Sequence, residues 1–218
     1  MINSLINLKE VGKPNILYRN DHFLEKNEIV HYQNLLRGPV WTPGIGSDKL
    51  DGLDDIKHFS LDLYDHYKWD GNWQSAKWKD STPVDWENLY QKIVPFLPKH
   101  YVHWIDIKIT CAGLMGTPLH RDKDPWTQGG DEKKFSRAIS VICNLNLQWN
   151  PEWGGGFQLY ETKYDGTTNS LITIEDQLVK LSPGQLIIME NCFHSIQSIT
   201  EQYKSRISFI LHVLEYKN

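Results

Sequence analysis

The 218-residue chain has little cysteine and none of it is patterned. Cys111, Cys143 and Cys192 are odd in number and far apart, and they form no CxxC. Neither a disulfide framework nor a thiolate zinc site is indicated, and a reducing, cytoplasmic compartment is expected. Long hydrophobic runs are missing too: no stretch approaches the roughly 18 apolar residues of a membrane helix, so no membrane partner is expected. MINSLINLKEVGKP lacks a basic region followed by an apolar core, so no secretory leader is expected. A basic surplus is also absent. Lys and Arg number 23 against 27 Asp and Glu, for a net charge of −4, the wrong sign for a general nucleic-acid surface. There is no internal repeat and no low-complexity tract.

What remains is an ordinary globular composition, 40% hydrophobic and 23% charged, enough to build one core without staples. The unusual feature is nine tryptophans. Several fall between residues 41 and 80, as in WDGNWQSAKW, a stretch readable as a recognition wall or as packing against the core. DHFLEKNEIVHYQNLL predicts a first helix, capped by Asn20 or Asp21 and ended by Gly38-Pro39. Val40 to Pro83 reads as irregular, with short strands such as HFSLDLY. VDWENLYQKIVPFL predicts a second helix from Pro83 or Asp85 to about Leu97, weakened in its last turn by Pro95. After Lys99 come short β-branched runs, YVHWIDIKIT, RAISVICNLNL, GGFQLYE, QLVKLS, GQLIIMEN and RISFILHVLEY, separated by turns such as Ser182-Pro183-Gly184. The expectation is one domain over 1–218, mainly β with flanking helices: helical and irregular support over 1–99 and a β sandwich or barrel over 100–218.

Five residues are candidates to carry chemistry. On a strand, His120 and Asp122 in His120-Arg121-Asp122 point to the same face. Such a pair arises by chance about once in a chain like this, so context must decide between a turn hydrogen bond and a ligand pair. His194 follows the apolar run QLIIM, as either a satisfied core histidine or one facing a cavity. Together the three make two imidazoles and one carboxylate, the facial ligand pattern of non-haem Fe(II) oxygenases. Arg206 and Ser208 share one face of the last strand, where a guanidinium fork beside a hydroxyl suits a carboxylate. Apolar neighbours on both sides argue against a surface ion pair at that point.

HRD, RAISVICNLNLQWNPEWGGGFQLY, LSPGQLIIMENCFHSI and SRIS, in that order, resemble the 2-oxoglutarate and Fe(II)-dependent dioxygenase superfamily, in its prolyl 4-hydroxylase-like branch. The resemblance covers about residues 100–216. It implies a double-stranded β-helix, a cupin-like jelly roll with N-terminal supporting helices. It implies His120, Asp122 and His194 as catalytic iron ligands, and Arg206 with Ser208 as the anchor for 2-oxoglutarate. Dioxygen is then the oxidant, succinate and CO2 are products, and ascorbate is a reductant of the iron. Trp149 and Gly154-Gly155 match the family's structural tryptophan and glycine pair. Thr110 stands where many relatives carry a tyrosine, and Asn144-Leu145-Asn146 where they carry Tyr-Leu-Asn. Thr110 and Asn144 are thus cofactor-side candidates, and Lys204 rivals Arg206. Asp124, Trp126 and Asn146 are candidates to meet a small-molecule or peptidyl substrate, prolyl or another amino acid. With Asp122 in place, hydroxylation rather than halogenation is implied. Three alternatives stay open: a non-catalytic, lectin-like jelly roll, a zinc or manganese cupin-type enzyme, and nucleic-acid demethylation.

Overall fold

In the computed structural model, residues 8–37, 42–45, 56–62, 83–97, 105–112, 116–121, 135–166, 168, 170–201 and 204–216 are described. Seven strands form the larger sheet: β2 (Ile16–Asn20), β3 (Thr42–Ile45), β4 (Ile56–Asp62), β5 (Ile105–Ala112), β7 (Phe135–Asn144), β10 (Leu186–Glu190) and β12 (Arg206–Tyr216). Their order is β2-β10-β7-β12-β5-β4-β3. Five form the smaller one: β1 (Leu8–Gly12), β6 (Thr117–His120), β8 (Phe157–Asp165), β9 (Ser170–Val179) and β11 (Phe193–Ile196). There β9 pairs β8 along its length, β11 pairs its first half, β1 its second, and β6 pairs β11. Every pairing in both sheets is antiparallel.

The central strands are apolar on both faces because both are covered. Odd-numbered residues of β7 and β12, such as Val141, Cys143, Phe209 and Leu211, pack against two helices. On the opposite face, Ile142 joins Ile187 and Met189 of β10 against Phe157, Leu159 and Val179 of the smaller sheet. The layers are therefore helices, seven strands, then five strands, with the second core between the sheets.

Helix α1 is Lys26–Leu35 and α2 is Val84–Ile93. The predicted cap of α1 is corrected: the helix starts after Glu25, whose N–H donates to the Glu28 carboxylate at 2.8 Å. Asn20 instead ends β2 and its side chain accepts from the His22 N–H at 2.9 Å, which makes a turn. Asp21 pairs with Arg19 and accepts from Gln185 at 2.7 Å. The expected stop at Gly38-Pro39 lies outside the described residues. Helix α2 starts after Pro83, buries Trp86, Leu89 and Ile93 at helical spacing, and gives way to one 3-10 turn over Val94–Phe96. Pro95 has no N–H to continue the ladder. Lys92 clamps the two helices, donating to Glu28 at 2.7 Å and to the Phe23 carbonyl at 3.2 Å. The Ser182-Pro183-Gly184 turn docks on the α1 entry, where the Leu24 N–H donates to the Gly184 carbonyl at 3.1 Å. Gly184 has φ +67°, and a Cβ there would meet the Leu24 carbonyl oxygen at 2.5 Å, so only glycine fits.

The main difference from expectation lies before residue 99. That region supplies four strands as well as helices: β1 joins the smaller sheet, and β2, β3 and β4 join the larger. The strand expected at HFSLDLY is β4. Strands β1 and β2 are five residues each, too short for alternation to stand out from a turn-rich sequence.

Candidate active site

Strands β6 and β11 pair so that His120 and His194 are direct cross-strand partners. Their ring centroids are 4.3 Å apart, tilted by 56°. Each ring is held by a backbone carbonyl two residues before it. His120 Nδ1 lies 2.8 Å from the Pro118 carbonyl and His194 Nδ1 lies 2.9 Å from the Cys192 carbonyl. A carbonyl can only accept, so each Nδ1 carries a proton, and Nε2 is the ring nitrogen left to offer a lone pair to a metal. A backbone carbonyl fixing the tautomer from behind is how metal-binding histidines are held. The spacing fits as well. Two imidazoles meeting one ion at right angles, with metal–nitrogen bonds of about 2.1 Å, have centroids roughly 4.5 Å apart. His194 is 5% exposed and also opposes Leu159 of β8.

Arg206 opens β12 and is 2% exposed. Its Nη1 donates to the Gly155 carbonyl at 3.3 Å, and its guanidinium lies 4.9 Å from the centroid of the Phe157 ring. Its Nε has no hydrogen-bond partner among the described residues, and no carboxylate there pairs with it. Burial pulls its pKa down from the ordinary arginine value to about 10, still charged at neutral pH. Ser208, two residues on and on the same face, is fully buried, and its Oγ also has no partner there. A buried cation beside an unsatisfied hydroxyl is a cradle for an anion. Lys204, the rival, is directed elsewhere: its Nζ sits 4.7 Å over the Trp153 ring.

The glycine pair makes room for the arginine. Gly154 and Gly155 have φ of 84° and 72°. A Cβ on Gly155 would meet the Trp149 ring at 3.0 Å and approach the Arg206 side chain at 3.8 Å. Trp149 is held in turn, its indole N–H donating to the Gly154 carbonyl at 3.1 Å.

Asn144 and Asn146 are both buried, and both side chains are engaged by backbone. Asn144 donates to the Ser182 carbonyl and accepts from the Asn146 N–H. Asn146 donates to the Ser205 carbonyl at 2.8 Å and accepts from the Ile207 N–H at 2.9 Å. They tie the end of β7 to the turn before β10 and to the start of β12. Thr110 opposes Ser208 in register, but its side chain lies outside the described residues. So do Asp122, Asp124 and Trp126. The sequence reading passed over two buried polar residues, Ser140 and His212, which oppose each other across β7 and β12. The signal was present in SRISFILHV, where His212 shares the even positions with Arg206 and Ser208.

No protein-family model matches the chain, and no curated protein does. Solved structures do. A prolyl hydroxylase from Trichoplax adhaerens, in complex with a hypoxia inducible factor peptide, aligns with a TM-score of 0.56 at 14% identity, over 91% of this chain and 83% of that one. A 2OG-Fe(II) oxygenase family oxidoreductase from Burkholderia pseudomallei aligns with a TM-score of 0.56 at 12% identity, over 90% and 82%. The fold is that of the 2OG-Fe(II) oxygenases, prolyl hydroxylases among them. A carbocyclase of nogalamycin biosynthesis, SnoK, non-heme and α-ketoglutarate dependent, also aligns, with a TM-score of 0.58 at 8% identity over 94% and 87%. The oxygenase fold thus houses more than one reaction, and the chemistry of this chain has to be argued from its own residues.

Proposed function

We propose that this chain is an Fe(II)- and 2-oxoglutarate-dependent oxygenase, in which His120, Asp122 and His194 hold the iron and Arg206 with Ser208 holds the far carboxylate of 2-oxoglutarate. The observation that carries this reading is the buried Arg206, charged and without a carboxylate partner among the described residues, beside the unsatisfied Ser208 hydroxyl. Neither a lectin-like module nor a cupin-type hydrolase needs a buried guanidinium at that point.

The chemistry supplied by iron and cosubstrate, once bound, is dioxygen-dependent oxidation of a C–H bond, with 2-oxoglutarate converted to succinate and CO2. The chain's own groups do the positioning. The Pro118 and Cys192 carbonyls hold both imidazoles in the tautomer that offers Nε2. Asp122 follows His120 at the spacing that brings its carboxylate to the same face in an extended chain. Its presence favours hydroxylation, or another oxidation without halide. The Arg206 guanidinium neutralises the incoming carboxylate, and the Ser208 hydroxyl donates to it. Phe157, Leu159, Ile142 and Ile187 form an apolar lining that excludes water from between them. The substrate class is an amino acid, free or peptidyl, or another small molecule.

The test is an anaerobic titration with Fe(II) and then 2-oxoglutarate, followed through the visible metal-to-ligand charge-transfer band. The expected result is a band in the native protein that is lost in His120→Ala, His194→Ala and Arg206→Met. Iron affinity unchanged in both histidine variants would overturn the ligand assignment. A band that survives Arg206→Met and fails in Lys204→Met would move the anchor to Lys204.

A further inference from the structure

The inner face of β8 changes from apolar to charged next to the histidines. Phe157 lies under the Arg206 guanidinium. Leu159, two residues on, opposes His194 and packs in one cluster with Ile142, Ile187 and Met189 of the larger sheet. Tyr160 takes the opposite face, where its hydroxyl lies 3.2 Å from the Oγ of Ser195, the residue after His194. Glu161 therefore returns to the face of Leu159 and His194. Lys163 follows it there, with its Nζ 3.1 Å from the Glu161 carboxylate. Along one strand the order is thus Phe157 beneath the arginine, Leu159 level with both histidines, and then this ion pair. Glu161 is a diagonal neighbour of His194, and such neighbours are about 7–8 Å apart, within reach of long side chains. Under the reading above, 2-oxoglutarate takes the interval from Arg206 to the histidines. Along this strand, the Glu161 side is the one left for substrate.

We propose that Glu161 and Lys163 are substrate-recognition residues, and that the substrate is a free amino acid whose ammonium meets Glu161 and whose carboxylate meets Lys163. The two side chains are 17% and 28% exposed, so they are largely withdrawn from water yet within reach of a ligand. Holding a carboxylate and an ammonium there costs desolvation that a third apolar residue on this face would avoid, and such pairs add little to stability. One negative and one positive group side by side are complementary to a zwitterion. Its insertion exchanges one ion pair for two and leaves the net charge of the site unchanged. A peptidyl residue has neither charge to offer, and bonds between ionised groups are about twice as strong as neutral ones. With its head group on this pair, the amino acid has its side chain one row, about 7 Å, from the histidines.

This inference rests on the oxygenase reading, and its test keeps the two apart. The probes are the free L-amino acids, one at a time, each set against its N-acetyl, methyl ester and N-acetyl methylamide forms. The readouts are calorimetric binding to the protein loaded with Fe(II) and 2-oxoglutarate under anaerobic conditions, and succinate formed in air. The expected result is that a free amino acid binds and stimulates succinate formation. Blocking either end weakens its binding about tenfold or more, the scale of one charge-assisted hydrogen bond. Glu161→Gln costs as much as N-acetylation, and in that variant N-acetylation costs nothing further. Lys163→Met stands in the same relation to the methyl ester. Glu161→Lys combined with Lys163→Glu keeps an ion pair but transposes its ends, and it does not restore binding, whereas a merely structural pair would be restored. The charge-transfer band and the affinity for 2-oxoglutarate stay unchanged in all three variants. A native band with no free amino acid bound, or blocked forms binding as well as free ones, overturns this proposal and leaves the oxygenase reading standing. Native affinity in either single variant or in the transposed one, or loss of the band in Glu161→Gln, overturns it too. If the native protein itself gives no band, the oxygenase reading fails first and takes this inference with it.

Discussion

Replacing Arg206 by methionine separates the cost of the arginine from its use. The guanidinium is buried and has no carboxylate partner among the described residues, and burial alone lowers its pKa to about 10. A fall of more than two pH units, at about 1.4 kcal/mol each, means that the ligand-free protein carries about 3 kcal/mol of unfavourable desolvation at this one site. Methionine removes that cost at similar length. It also forfeits the contact with the Phe157 ring, about 1–2 kcal/mol for a desolvated cation, and the bond to the Gly155 carbonyl, about 1 kcal/mol. The two sides nearly cancel, so Arg206→Met is expected to unfold in urea within about 1 kcal/mol of the native protein. Ligand separates them. At a hundred times its Kd, 2-oxoglutarate stabilises the native protein by about 2.7 kcal/mol, or about 5–10 °C in Tm for a chain of this size. The variant should show no shift. The assay is thermal and urea unfolding with and without 2-oxoglutarate and Fe(II), under anaerobic conditions. Ligand-free destabilisation beyond about 3 kcal/mol would refute the reasoning, because it would mean that an anion within the protein already balances Arg206. A full 2-oxoglutarate shift in the variant would refute it from the other side.

Three further outcomes are expected. Asn146→Ala removes the two bonds joining the end of β7 to Ser205 and Ile207, and should cost about 1–3 kcal/mol in urea unfolding. Trp86, 1% exposed and stacked between Tyr32 and Phe209, anchors the helices to the sheet, and Trp86→Ala should cost about 3–5 kcal/mol by the same measurement. The Asp21 carboxyl is held below its usual range, first by its bond from Arg19 and also by the bond from Gln185. A lowered folded pKa gives stability that is present above the ordinary carboxylate range and lost as pH falls through and below it. The fall in Tm from pH 6 to pH 3 should therefore be shallower in Asp21→Asn, and an identical slope would remove Asp21 from the account.

Much of this protein is legible in its residues. The strand succession after Lys99 follows from β-branched runs and turn residues, and the end of α2 follows from Pro95, because these signals act over one or two turns of chain. The order of His120, Asp122, His194, Arg206 and Ser208 along the chain points to a metal and a carboxylate ligand, with more than one reaction class open. The remainder needed tertiary structure, because it depends on which distant backbones pair. Strands β1 and β2 are too short to announce themselves and form only because β8 and β10 offer edges to them. His120 and His194 become partners through the β6–β11 register. Lys204 and Arg206 are two residues apart in similar sequence, yet the arginine is buried over Phe157 and the lysine lies over Trp153. Asn144 and Asn146 share a face, as their spacing requires, but only the approach of Ser182 and Ser205 commits their amides to backbone. Local propensity is written residue by residue, whereas burial and register are settled by the packing of the two sheets.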